Sequence, residues 1–123
     1  MGFPAALEHF VTRFNAGSFW ESHEILEAAW RETGSDFYQG LILFASAFVH
    51  VRRANVHGVR AQLAKAVSRL GAYRPSYLGV DVGAVLDAAD AARRAVDVGV
   101  LPVAPDLRLD PALVRGDEPE LGG

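Results

Sequence analysis

The stretch FWESHEILEAAW, running from Phe19 to Trp30, sets His23, Glu24 and Glu27 in the order H-E-x-x-E among bulky aromatic side chains. On a helix, residues four apart point the same way. His23 and Glu27 can therefore grip one divalent ion while Glu24, one residue round, polarises a bound water. This is the mechanics of H-E-x-x-H zinc hydrolases with glutamate in place of the second histidine. A third ligand must come from another helix, and His50 is the candidate, because consecutive helices joined by a short turn pack antiparallel. Two imidazoles and a carboxylate leave open positions for water on zinc, manganese or iron. In that arrangement Glu24 is the general base and Arg53 steadies a developing anion.

The same residues support a second reading without catalysis. Glu27 and Arg31 are an acid–base pair at i, i+4 in the favourable order, worth a few tenths of a kcal/mol when exposed (about 0.2–0.5). His23 and His50 then act as core histidines bonded to a carboxylate or carbonyl, in a polar network that fixes helix register. Trp20 and Trp30 supply contact surface for a partner. The two readings differ geometrically. A metal site needs both histidines and a carboxylate to converge on one point, whereas a network needs only pairwise contacts such as glutamate to arginine.

The elements that must position these groups are helices. Pro4 suits a first helical turn, and Leu7, Phe10, Val11 and Phe14 follow at the spacing of one helix face. Asn15 and Gly17 mark its stop. Ser18 to Glu21 reads as a capping box, S-x-x-E, with the serine accepting from an amide one turn in and Glu21 reaching back. The second helix then runs from about Phe19 to Glu32 and ends at Gly34. Phe19, Leu26 and Trp30 share its buried face with His23, and Glu27 lies on the border.

Ser35 or Asp36 caps a third helix to about Ala54. It is apolar on nearly every side, except that Gln39, Ser46, His50 and Arg53 fall within one narrow arc, being 7, 4 and 3 residues apart. With apolar flanks on both sides, this seam is expected to be buried or to line a cleft, its partner being the ionic edge of the second helix. Glu21, Arg31, Gln39, Ser46 and Asn55 complete the expected polar cluster. Gly40 lets a neighbouring backbone approach.

A fourth helix spans about His57 to Leu70, closed by Gly71. The loop AYRPSYLGV is pinned by Tyr73 and Tyr77. Asp81 caps a fifth helix to about Val98, with Val85, Leu86, Ala89, Ala92 and Val96 inward. Beyond Gly99 three prolines break the pattern of LPVAPDLRLDPALV, so an extended strap is expected, with one turn at Pro111. The end, RGDEPELGG, reads as a mobile acidic tail. The expected fold is all-α: a bundle of about five helices over residues 1–98, followed by the strap over 99–123.

Bulk composition narrows the function. Half of the 123 residues are hydrophobic and 22% are charged, which predicts a real core. The formal net charge of −3 leaves no basic footprint for nucleic acid. The absence of cysteine excludes thiolate catalysis, a disulfide framework and a cysteine zinc site. The longest apolar stretch, Leu41 to Val49, has nine residues where about twenty would cross a bilayer. MGFPAALEHF lacks the features of a secretory signal. A cytoplasmic protein with no membrane partner is expected, as a monomer or homodimer.

FNAGSFWESHEILEAAWR, FYQGLILFASAFVH, RRANVHG and YRPSYLGVD together resemble the DUF309 family of small all-helical bacterial and archaeal proteins, over roughly Phe14 to Asp81. The matching positions are Phe19, Trp20, Glu21, His23, Glu24, Glu27, Trp30, Arg31, Gln39, Gly40, His50, Arg53, Asn55 and Gly58. The resemblance implies a fold of packed helices. Members are sometimes labelled predicted metal-dependent hydrolases on motif grounds, which implies one divalent metal. The residues themselves favour a non-catalytic module, with its His/Glu/Arg site between the second and third helices, that binds a small molecule or a protein. Metal-dependent hydrolysis is the alternative.

Overall fold

The computed structural model describes residues 2–121. Five helices follow one another: α1 (Ala5–Asn15), α2 (Phe19–Thr33), α3 (Asp36–Arg52), α4 (Val56–Leu70) and α5 (Val82–Asp97). Between α4 and α5 lie a 3₁₀ turn at Gly71–Tyr73 and a two-stranded antiparallel ribbon, β1 (Ser76–Tyr77) and β2 (Val80–Asp81), with Tyr77 opposite Val80. Neighbouring helices pack in chain order, and α3 is held between α2 and α4.

The local chemistry explains most boundaries. Ser35 Oγ accepts from the Tyr38 amide at 3.2 Å, Asn55 Oδ1 from Gly58 at 3.0 Å and Asp81 Oδ1 from Ala84 at 3.0 Å. Each satisfies a helix N-terminal amide that has no partner within its own helix. Gly34 ends α2 at φ 67°, in the left-handed region that glycine enters without strain. At Ser18 the expected capping box does not form. The serine makes no side-chain cap bond, and its ψ of 65° lies well short of the extended value usual at a cap. Glu21 instead lies 3.7 Å from Arg13 across the α1–α2 turn.

The core is organised around Phe14. Its ring packs on Phe10, Phe19, Phe44 and Phe48, with centroids 5.0 to 6.0 Å apart. This cluster ties α1 to both α2 and α3, the Phe14 ring reaching Phe44 and Phe48, while α3 packs along α2 and α4. Gly40 lets α4 close in: a Cβ there would lie 2.6 Å from the Leu70 side chain. The inward residues expected of α5, Val85, Leu86, Ala89, Ala92 and Val96, are all buried. Tyr73 and Tyr77 pin the α4–α5 connection by packing on Phe37, with centroids at 5.3 and 4.7 Å.

Past α5 the chain runs extended to a 3₁₀ turn at Pro111–Leu113 capped by Asp110, with a second 3₁₀ turn following at Pro119–Leu121. It is fastened at Asn15, whose side chain exchanges two hydrogen bonds with the Leu107 backbone at 2.7 and 2.8 Å, and at Gly79, whose carbonyl accepts from Asp110 at 2.8 Å. The acidic end corrects the expectation of a mobile tail. Glu118 is only 4% exposed and its carboxylate accepts from the Leu78, Arg115 and Gly116 amides. Glu120 accepts from Ser35 Oγ and Tyr77 Oη. Gly122 and Gly123 lie outside the described residues.

Candidate functional site

Along the exposed edge of α2 the side chains form a continuous ladder. The Arg53 guanidinium lies 5.9 Å from the centroid of the Trp20 ring, within the range of a cation–π contact. Trp20 stacks on His23, centroids 5.1 Å apart and planes 26° apart. His23 Nε2 lies 3.2 Å from Glu27 Oε2, and Glu27 Oε1 accepts from Arg31 at 2.5 Å. The helical repeat produces this order, because steps of three and four residues keep Trp20, His23, Glu27 and Arg31 on one side. Trp20 is 53% exposed, whereas the His23 side chain is 20% exposed and Glu27 28%. His23 is thus largely covered, as its place beside Phe19 and Leu26 requires. Its inner nitrogen, Nδ1, is buried and has no hydrogen-bond partner among the described residues. Glu24 stands one step round, in solvent.

The seam of α3 is where the structure departs from the sequence reading. Gln39, Ser46 and His50 are half-buried, and Arg53 and Asn55 are exposed. They do not form a buried cluster. Leu43 lies with them, so 39, 43, 46, 50 and 53 trace the one side of α3 that faces outward. With α2 and α4 packed along it and Phe14 of α1 reaching its core side, a helix can be apolar nearly all round and still keep one open strip.

His50 is directed towards α4. Its Nδ1 is 3.1 Å from the Asn55 side-chain amide, and the ring lies so close to Gly58 that a Cβ there would sit 2.5 Å from Nδ1. Gly58 therefore allows the imidazole to lie flat on the first turn of α4. The contact between the α2 edge and the α3 seam is Arg53 over Trp20.

The donor set does not fit a divalent ion. No group of three His, Asp or Glu side chains among the described residues is arranged to hold one. His23 and Glu27 are close, but the second oxygen of Glu27 already carries the Arg31 cation, which would repel a metal at that spot. His50 makes its own contact with Asn55. Five of the better-formed clefts on the described surface are lined by other residues, without His23, Glu24, Glu27 or His50. What the arrangement can do is present a flat aromatic ring between two guanidinium groups, with one carboxylate in the row.

Some anchoring residues carried no sequence signal that singled them out. Ser22 is fully buried and satisfies itself by donating to the Phe19 carbonyl at 2.8 Å. Arg52 lies 4.6 Å over the Phe19 ring. Glu118 and Glu120 sit in a segment whose composition alone suggests solvation. Burial pushes the Glu118 carboxyl upward, but the amide hydrogens of Arg115, Leu78 and Gly116 outweigh it and hold the group below the ordinary glutamate value. Burial, and then the nearby Glu120 charge, push the Tyr38 phenol up to about 12.

No curated protein matches the chain. Residues 7–62, from α1 into α4, match the family model DUF309, a domain of unknown function. This segment holds the whole ladder, the α3 seam and the His50–Gly58 contact, and through it the chain is similar to the DUF309 family.

Proposed function

We propose that the chain is a non-catalytic binding module that meets its partner through the outward side of α2 and α3. The observation that carries this reading is Trp20, half in solvent and held in place by Arg53 on one side and His23 on the other. Aromatic and arginine side chains dominate the binding energy of protein interfaces. A ring already held by its neighbours loses little rotamer freedom on binding. The His23–Glu27–Arg31 contacts are pairwise and lie within one helix, which favours a polar surface row over a metal centre, since both oxygens of Glu27 are already matched by its neighbours.

Two measurements test the reading together. Untagged protein titrated with zinc, manganese and iron(II) is expected to bind no stoichiometric ion, and elemental analysis of the purified protein to find none. A photo-crosslinking residue placed at Glu24, beside the ladder, is expected to trap a discrete adduct in cells. The same residue at Lys65, on the exposed side of α4, is expected to trap none. Stoichiometric metal that is lost on His23→Ala would overturn the proposal in favour of the hydrolase reading. So would equal adducts from both positions, which would leave the α2–α3 surface with no special role.

A further inference from the structure

Helices that alternate in direction bring the end of α1, the start of α2, the end of α3, the start of α4 and the end of α5 to one pole of the bundle. The contacts Arg52–Phe19, Arg53–Trp20 and Arg60–Asp97 tie these termini together. The pole is chemically unlike the rest of the molecule. Of the seven large apolar side chains that stand exposed among the described residues, six are here: Trp20, Val56, Val98, Val100, Leu101 and Val103. Val103 is 91% exposed and Val98 76%. Val103 also lines a shallow groove with Phe19, Val51 and Arg52, which joins the strap to the bundle end.

The charges at this pole are arranged around the apolar residues. Arg13 pairs with Glu21 and Arg60 with Asp97, and the exposed Asp106 lines the same groove as Arg52 and Val103. Arg52 and Arg53 meet no carboxylate among the described residues; their guanidinium groups lie over aromatic rings instead. The chain as a whole carries a formal charge of −3, so an anionic surface would repel the body while attracting this end.

We propose that this pole docks on an anionic lipid bilayer, with Val98–Val103 entering the headgroup boundary and Arg52 and Arg53 meeting lipid phosphates. Guanidinium groups take phosphate oxygens two at a time. Tryptophan settles at the level of the headgroups. The aliphatic side chains project from the turn and the segment without regular structure that follow α5. A bilayer accommodates such projections without a matching pocket, whereas a folded partner would need one carved to fit. No helix among the described residues is long and apolar enough to cross a membrane, and a surface contact requires none. The proposal goes beyond the α2–α3 binding surface. It shares Trp20 and Arg53 with the ladder, but Arg52, Leu101 and Val103 lie off it, so variants at these three positions let either idea fail without the other.

The full chain is mixed with sedimenting vesicles of equimolar phosphatidylglycerol and phosphatidylcholine, and in parallel with pure phosphatidylcholine. The expected result is co-sedimentation with the anionic vesicles alone. In a Trp30→Phe background, Trp20 emission should shift to the blue on binding. Each of Arg52→Ala and Arg53→Ala should weaken partitioning about fivefold, in line with the worth of one basic residue near an anionic surface. Leu101→Asp with Val103→Asp should abolish it while circular dichroism stays unchanged, because both residues are already in solvent. Absence of co-sedimentation at low ionic strength would overturn the proposal, as would binding indifferent to both sets of substitutions. A concentration-dependent dimer that Val103→Asp dissolves would also overturn it, by assigning the pole to a second copy of the chain.

Discussion

The Glu27 carboxylate holds the His23 imidazole at 3.2 Å through one oxygen and leaves the other to Arg31. The glutamate therefore sits at the centre of the ladder, and its loss should be felt locally more than globally. Glu27→Ala is expected to lower stability by no more than about 1 kcal/mol, since all three groups keep access to water. The ladder itself should loosen. With the imidazole released, Trp20 should show lower fluorescence anisotropy in a Trp30→Phe background. Unchanged anisotropy would mean that the stack is held by Arg53 alone.

The His50–Gly58 contact gives a sharper test of packing. A methyl group at position 58 would have to displace the imidazole, because Nδ1 lies 2.5 Å from where the Cβ would be. Gly58→Ala is expected to destabilise the protein by about 1–3 kcal/mol, the usual range for forced overpacking, measured by urea denaturation. Removing the ring should relieve the clash. His50→Ala combined with Gly58→Ala should be clearly less damaging than the two changes summed. Strict additivity would show that the ring and the glycine do not compete for the same space.

Four of the helices were legible because their buried faces repeat over several turns and a recognisable stop follows each; α3 showed itself instead as an apolar run. Phe10 and Phe14 on α1, and Val85, Ala89 and Ala92 on α5, announce themselves by spacing. The α3 seam did not, since periodicity reports which residues share a side and not what covers that side. Gln39, Ser46 and His50 share a side as expected, but nothing in their order says that solvent covers it. The acidic end misled for the opposite reason. Glu118 is buried by contacts forty residues away at Leu78, and such a partner leaves no trace in local composition. The H-E-x-x-E spacing puts His23 beside Glu27 but could not reveal that Arg31 takes the remaining oxygen.

The helix caps separate sequence pattern from geometry most directly. Ser18 and Glu21 have the capping-box order, yet the serine makes no cap bond and the glutamate turns to Arg13. Ser35 has no glutamate or glutamine three residues on, yet its hydroxyl oxygen accepts from Tyr38 and its hydroxyl hydrogen goes to Glu120. Ser18→Ala and Glu21→Ala are each expected to change stability by less than about 0.5 kcal/mol, as surface changes generally do. Ser35→Ala should cost about 1 kcal/mol or more. Thermal melting of the three variants side by side decides the matter. A loss at Ser18 as large as that at Ser35 would restore the capping box.

Glu118 makes the strap sensitive to acid. Its folded-state pKa lies below the ordinary value of 4.5. Above that ordinary value the carboxylate is charged in both states, and its contribution to stability is fully present. As pH falls through 4.5 and then through the lower folded value, the unfolded chain takes up the proton first and the contribution disappears. Glu118→Ala removes the acceptor for the Leu78, Arg115 and Gly116 amides and should cost about 1–3 kcal/mol at neutral pH, the range for stranded buried donors. The variant should also lose less further stability than the parent between neutrality and acid, because the group responsible is gone. Amide exchange at Leu78 should accelerate in step, since that hydrogen is held by Glu118. Parallel pH–stability curves for parent and variant, with Leu78 exchange unaltered, would show that the strap is fastened by Asn15 and Glu120 instead.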